Sequence, residues 1–193
     1  MRLAITVFLF FCLSVSAPAG AQSTKPPQLG DCVWAQIPAS LREEFLKAYG
    51  QDSRLGMGVL QKHDTAIEPL VDGCVGRTDV PKRWTRGAVG AQAIQNGAVN
   101  ELAAYGITAD MLDASWRAAP AAALDCVAAN AAKAFGIMDR KCPAPGADLA
   151  LLQPLKISLP ANRAAAAHAL YYFNARAQEE WAEALIAKIP EKR

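Results

Sequence analysis

The chain has 193 residues, with 20 Lys and Arg against 18 Asp and Glu, a formal net charge of +2 and 52% hydrophobic residues. That length suits one domain able to bury its own core. The near-neutral balance excludes an electrostatic case for nucleic acid, which needs clustered Lys and Arg. The densest basic spot, Lys82, Arg83 and Arg86, reads as a solvated helix face.

The N-terminus carries the strongest signal. Arg2 precedes an apolar run at 3–15, and small residues follow to Ala19-Gly20-Ala21. A charged start, an apolar core and an A-x-A-like site predict a secretory signal peptide at 1–21. The run is too short to cross a bilayer, which takes about 20 residues. Cys12 follows Phe10-Phe11 rather than the small residue that precedes a lipidated cysteine, so it leaves with the signal. No later segment is apolar enough to span a membrane, and the expected compartment is periplasmic or extracellular.

Residues 22–31 contain Pro26-Pro27 and few apolar side chains, and predict an extended lead-in to a single helical domain at 32–193. A first helix is expected at 40–49, with Ser40 and Glu43 as a capping box and Leu41, Phe45 and Ala48 as its buried stripe. Gly56 and Gly58 weaken any helix at 51–63. A short helix at 65–71 would use Thr65 and Glu68 as its box, with Pro69 late in it.

Asp79 is placed to cap a longer helix with Pro81 in its first turn. Trp84, Gly87, Ala91, Ile94, Ala98, Leu102 and Tyr105 then recur at helical spacing, and Gly106 ends it. Gly87, Gly90 and Gly97 cost propensity and imply close approach of a neighbouring helix. Thr108 opens the next helix, with Asp110 in its first turn and Leu112 and Trp116 on one face. Pro120 kinks it or starts another, in which Leu124, Val127, Ala131 and Phe135 form the stripe.

Residues 137–160 carry Pro143, Pro145, Pro154 and Pro160 and read mostly as loop. A long helix at 161–189 closes the chain, with Ala166, Leu170, Phe173, Ala177, Trp181 and Leu185 inward and Lys188, Lys192 and Arg193 near its negative end. No window alternates as a half-buried strand does. The expected fold is all-α: an irregular bundle of five or six helices with a long C-terminal helix. Its alanine runs bury little area each. The large residues Trp34, Trp84, Trp116, Trp181, Phe45, Phe135 and Phe173 must supply much of the burial.

Four cysteines follow the signal: Cys32, Cys74, Cys126 and Cys142. An even number in an exported chain predicts two disulfides. No C-x-x-C spacing supports zinc or a thioredoxin-like redox role. Cys126 stands about 13 Å of helical rise before the expected helix end at Phe135. Residues 136–141 can reach back about 20 Å when extended. The expected pairs are therefore Cys126–Cys142 and, by elimination, Cys32–Cys74.

Catalytic signals are weak. His63 and His168 are the two histidines, and no serine elbow, dinucleotide loop, phosphate loop or haem motif occurs. No cofactor or metal is expected. His168, Tyr172 and Arg176 form one row of the last helix at i, i+4 and i+8 and are the candidates for a ligand cleft. Glu179, Glu180 and Glu183 read as a solvated acidic face with Arg176 opposing Glu180. The sequence thus favours an exported, non-catalytic protein that binds a protein partner or a small ligand. The alternative is a periplasmic hydrolase using helix-borne carboxylates with His168. Mass spectrometry of the native protein is expected to find a chain beginning at Gln22; a full-length chain held in the membrane would contradict cleavage.

Overall fold

A computed structural model describes residues 28–77, 79–158 and 161–190. The expected signal peptide at 1–21, the part of the expected lead-in at 22–27, Pro160, Lys192 and Arg193 lie outside these residues. The described chain is all-helical, with a long C-terminal helix and two disulfides.

The chain divides more finely than its periodicity implied. The α-helices are α1 (Leu29–Gln36), α2 (Ala39–Gln51), α3 (Ser53–Lys62), α4 (Asp64–Val75), α5 (Lys82–Leu102), α6 (Ala109–Ala118), α7 (Ala121–Ala134) and α8 (Arg163–Ile186). Short 3-10 turns form at Ala103–Tyr105 and Ala147–Leu152. The lead-in, expected to run to Asp31, gives way to helix at Leu29. Burial drives this: Leu29, Gly30 and Val33 pack inward. The helix at 51–63 forms despite its glycines. Asp52 caps it by accepting from the Arg54 amide. Gly56 lies against Phe45 and Tyr49 of α2, where a Cβ would stand 3.0 Å from Tyr49.

Several expected caps are not used. Pro38 precedes α2 and His63 precedes α4, neither with a side-chain cap. Glu68 pairs with Lys82 rather than reaching back to Thr65. Asp79 holds Arg77 at 2.7 Å and leaves Pro81 at the start of α5. For Glu68 a partner on another helix, Lys82, takes the place of the local box, while Asp79 turns to its loop neighbour Arg77. Thr108 does cap α6, accepting from the Met111 amide, and Pro120 starts α7 as a separate helix. The loop at 137–158 is not wholly peripheral: Leu151, Leu152 and Leu155 are buried.

The centre of the molecule is the antiparallel pair α5 and α8. Small residues face inward on both: Ala88, Ala91, Ala93 and Ala98 on α5, and Ala165, Ala166, Ala169 and Ala182 on α8. Such faces let helix axes approach closely. On another side of α5, Gly97 admits α2 as closely: a Cβ there would meet the Tyr49 ring at 2.6 Å. Around this seam the fully buried Phe45, Tyr49, Leu102, Leu112 and Phe173 supply the larger volumes. Trp34, Trp116 and Phe135 are only partly buried and lean on the core from outside. Among the described residues no helix is long and apolar enough to cross a membrane.

Cys32 joins Cys74, tying α1 to α4, and Cys126 joins Cys142, tying α7 to the following loop. The Cα separations are 5.9 Å and 4.0 Å. This is the pairing expected from chain reach. The first link spans 42 residues and the second 16. Loop-closure entropy alone gives about 4 kcal/mol for the longer and about 3 kcal/mol for the shorter. Chemical denaturation of Cys32→Ser/Cys74→Ser and Cys126→Ser/Cys142→Ser should show both destabilised, the first pair more.

Candidate functional site

Polar residues recur on one face of α5 at Gln92, Gln95 and Asn96, and on one face of α8 at Tyr172, Arg176 and Glu179. The three- and four-residue spacing aligns each set along its helix. Where these faces meet, α1 and α6 close the sides and leave a cleft of 220 Å³. Asp31 enters it from α1 and Asp113 from α6. Gln92, Gln95 and Asn96 form one wall, and Tyr172 and Arg176 the opposite one.

The α8 wall is held rigidly. Arg176 donates from Nη1 to Asp113 Oδ1, and from Nε to Glu180 Oε1 at 3.3 Å. Its guanidinium also lies 5.1 Å from the centre of the Trp116 ring. The Tyr172 hydroxyl donates to Asp113 Oδ1 at 3.0 Å. Burial and the neighbouring Asp113 carboxylate push the Tyr172 phenol above its ordinary pKa. On the other wall, Gln92 Nε2 donates to Asp31 Oδ1 at 2.6 Å.

Behind this wall lies a buried carboxylate. Glu179 is 2% exposed. Its Oε2 accepts from Gln95 Nε2 at 2.6 Å, while its Oε1 has no hydrogen-bond partner. Burial raises the Glu179 pKa to about 7. The Gln95 bond opposes that rise, and Asp31 and Glu183 add to it. Oε1 presses on α1 at Gly30, where a Cβ would lie 2.1 Å away. Glu183 accepts from the Leu29 amide beside it. Two carboxylates of α8 thus meet the first turn of α1, where helix amides lack intrahelical partners and the dipole favours negative charge.

Of the row named from sequence, Tyr172 and Arg176 line the cleft and His168 does not. His168 sits one turn earlier, its ring 5.8 Å from Tyr49 and 6.3 Å from Tyr171. Tyr49 reaches α8 there across Gly97, so that turn faces α2 instead of the polar row. Burial lowers the His168 pKa, with Glu101 opposing. His168 and Glu179 are three turns apart on α8, about 16 Å along the axis. Glu179, expected on a solvated face, is buried because α1 covers it; Glu180 stays exposed and opposes Arg176 as expected. Gln92, Gln95 and Asp113 were not singled out from the sequence. The usable signal was the pair of glutamines, three apart, inside a helix otherwise packed with Ala and Gly.

A second, more apolar groove of 330 Å³ lies between α2 and α4, walled by Pro38, Leu41, Ile67 and Leu70. At its edge His63 Nε2 stands 3.5 Å from Glu44 Oε2. Among the described residues no three His, Cys, Asp or Glu side chains are grouped to hold a metal ion. No protein-family model matches the chain, and no curated protein or solved structure is significantly similar to it.

Glu179 makes a specific pH dependence. Below its ordinary pKa of 4.5 it is protonated folded and unfolded alike. Between 4.5 and about 7 only the folded state keeps the proton, so stability falls as pH rises. Above that window the full cost, about 3 kcal/mol, is present. Glu179→Gln removes the ionisation. Its Tm relative to wild type should climb by about 5–10 °C between pH 4.5 and pH 8. A constant difference across that range, read by calorimetry, would mean that Glu179 does not titrate as described.

Proposed function

We propose that this is an exported, non-catalytic protein that binds a small polar ligand in the cleft between α1, α5, α6 and α8. Its working compartment is oxidising, periplasmic or extracellular. The observation that carries the reading is the fixed polar wall of Tyr172, Asp113 and Arg176 facing the amides of Gln92, Gln95 and Asn96. Prearranged donors and acceptors bind a ligand without the entropy of ordering them first. The two disulfides and the N-terminal export pattern support the compartment.

Two features favour binding over hydrolysis. The carboxylate that titrates near neutrality, Glu179, is sealed behind Gln95, and a general acid must come within hydrogen-bond reach of its substrate. Asp113 is engaged by Tyr172 and Arg176, and neither His63 nor His168 lines the cleft.

The low-molecular-weight fraction of a periplasmic extract should shift the side-chain resonances of Gln92, Asn96 and Arg176. Ala109→Trp, at the exposed cleft edge, should abolish those shifts while leaving Tm nearly unchanged. Arg176→Ala should weaken binding at least tenfold, because Asp113 and Tyr172 lose their common partner, a loss of about 1.5–3 kcal/mol. Shifts confined to Leu41 and Ile67, or insensitive to Ala109→Trp, would overturn the cleft as the binding site. Formation of a product would favour the hydrolase.

A further inference from the structure

Beneath the cleft, Gln95 and Glu179 form a buried pair that faces the ligand space from one end only. An ionised carboxylate is acceptor-only. Glu179 therefore draws the donor end of the Gln95 amide, and Nε2 lies 2.6 Å from Oε2. The same nitrogen reaches Gln92 Oε1 at 3.3 Å, which commits its second hydrogen. The amide is planar, so its oxygen points the other way. Gln95 is 8% exposed and lines the cleft, and among the described residues nothing donates to its Oε1. Ionised Glu179 thereby fixes an acceptor on the cleft floor. The short bond to a charged partner polarises the amide and strengthens that acceptor.

A proton on Glu179 reverses this arrangement. The carboxyl then needs an acceptor, and the amide of Gln95 is its polar neighbour. With the amide turned over, Oε1 faces Glu179 and the NH2 group faces the cleft. One proton thus changes the floor from acceptor to donor.

The surrounding charge favours one kind of ligand. From α1 comes Asp31; from α8 come Glu183 and Arg176; the facing residues of α5 are the neutral Gln92 and Gln95. Arg176, the one cation of this set among the described residues, is engaged with Asp113 and Glu180. A buried carboxylate short of positive charge is relieved either by a proton or by a cation brought from outside.

Building on the cleft-binding reading, we propose that the ligand is a small organic cation, an amine or guanidine, that donates an N–H to Gln95 Oε1, and that its binding expels the proton from Glu179. The N–H ligand supplies the positive charge that the proton supplied before, and the proton leaves to buffer. The O–H bond of the carboxyl breaks as the buffer base takes the proton, and no other covalent bond changes.

The probe is 1,4-diaminobutane, whose amines, with pKa near that of lysine at about 10, stay charged from pH 6 to 8. Succinate, of similar length and opposite charge, is its comparator. Isothermal titration calorimetry in two buffers of different ionisation enthalpy counts the protons exchanged. At pH 6.5 the diamine should release about three-quarters of a proton, and its affinity should fall about tenfold from pH 8 to pH 6. Glu179→Gln should bind it at least tenfold more weakly at pH 8, with no proton release and no pH slope. In the unliganded protein, the Gln95 side-chain amide resonances should move with a midpoint near that of the Glu179 carboxyl carbon.

Diamine binding without proton release, or with the same pH slope in Glu179→Gln, would overturn the coupling. Succinate binding in preference to the diamine, or no binding of either, would overturn the cationic class. Neither result touches the cleft reading, which fails separately if the extract's effect survives Ala109→Trp.

Discussion

Everything in this molecule depends on how closely α5 packs on α8. The seam is lined by alanine, so the two helices meet with little side chain between them. Larger residues would hold the axes apart and leave a channel for water. With small ones, a polar side chain that enters the seam is shut away from solvent. Gln95 enters that seam, and Glu179 beside it is closed off by α1 at Gly30. Between α2 and α5, Gly97 lets Tyr49 reach across to His168, so the polar row stops at Tyr172.

A seam of small residues buries little area per residue, and hydrophobic stabilisation scales with that area at about 25 cal/mol per Å². The structure compensates at its edges. Trp34, Trp116 and Phe135 lean on the core, and two disulfides restrict the unfolded chain. The Cys32–Cys74 link matters most for the site. Helix α1 has eight residues, too few to be stable alone in water. It is held by that disulfide, by its buried Leu29 and Val33, and by the α8 carboxylates at its first turn. Without α1 the cleft loses Asp31 and Glu179 loses its cover.

The cost of burying Glu179 sits at the wall of the polar cleft rather than in a remote part of the core. A hydrophobic residue of similar volume there would avoid the desolvation penalty. The carboxylate instead orients Gln95, and Gln95 lines the cleft. A similar relation holds across the cleft, where Asp113 gathers both Tyr172 and Arg176. Each wall therefore has one carboxylate that aligns neutral or cationic groups, and both act through partners that line the cleft.

The sequence by itself determined the helical class and the long last helix, and it favoured Cys126–Cys142 by chain reach and Cys32–Cys74 by elimination. Those follow from local periodicity, proline and glycine placement, and chain reach, none of which needs a third element. Tyr172 and Arg176 were legible for the same reason, since a helix sets its own i, i+4 row. Only the tertiary structure decided what faces that row. The box expected at Thr65 was lost because Glu68 pairs with Lys82 of α5, Asp79 turned to Arg77, and α2 began at Ala39, ahead of Ser40. Leu29 became helical because its side chain is buried and its amide is held by Glu183 of α8. Glu179 reads as solvated beside Glu180 and Glu183, and only the placement of Gly30 against it makes it buried. Local pattern reports which side of a helix is polar; whether that side meets water or another helix is set by packing between residues far apart in the chain.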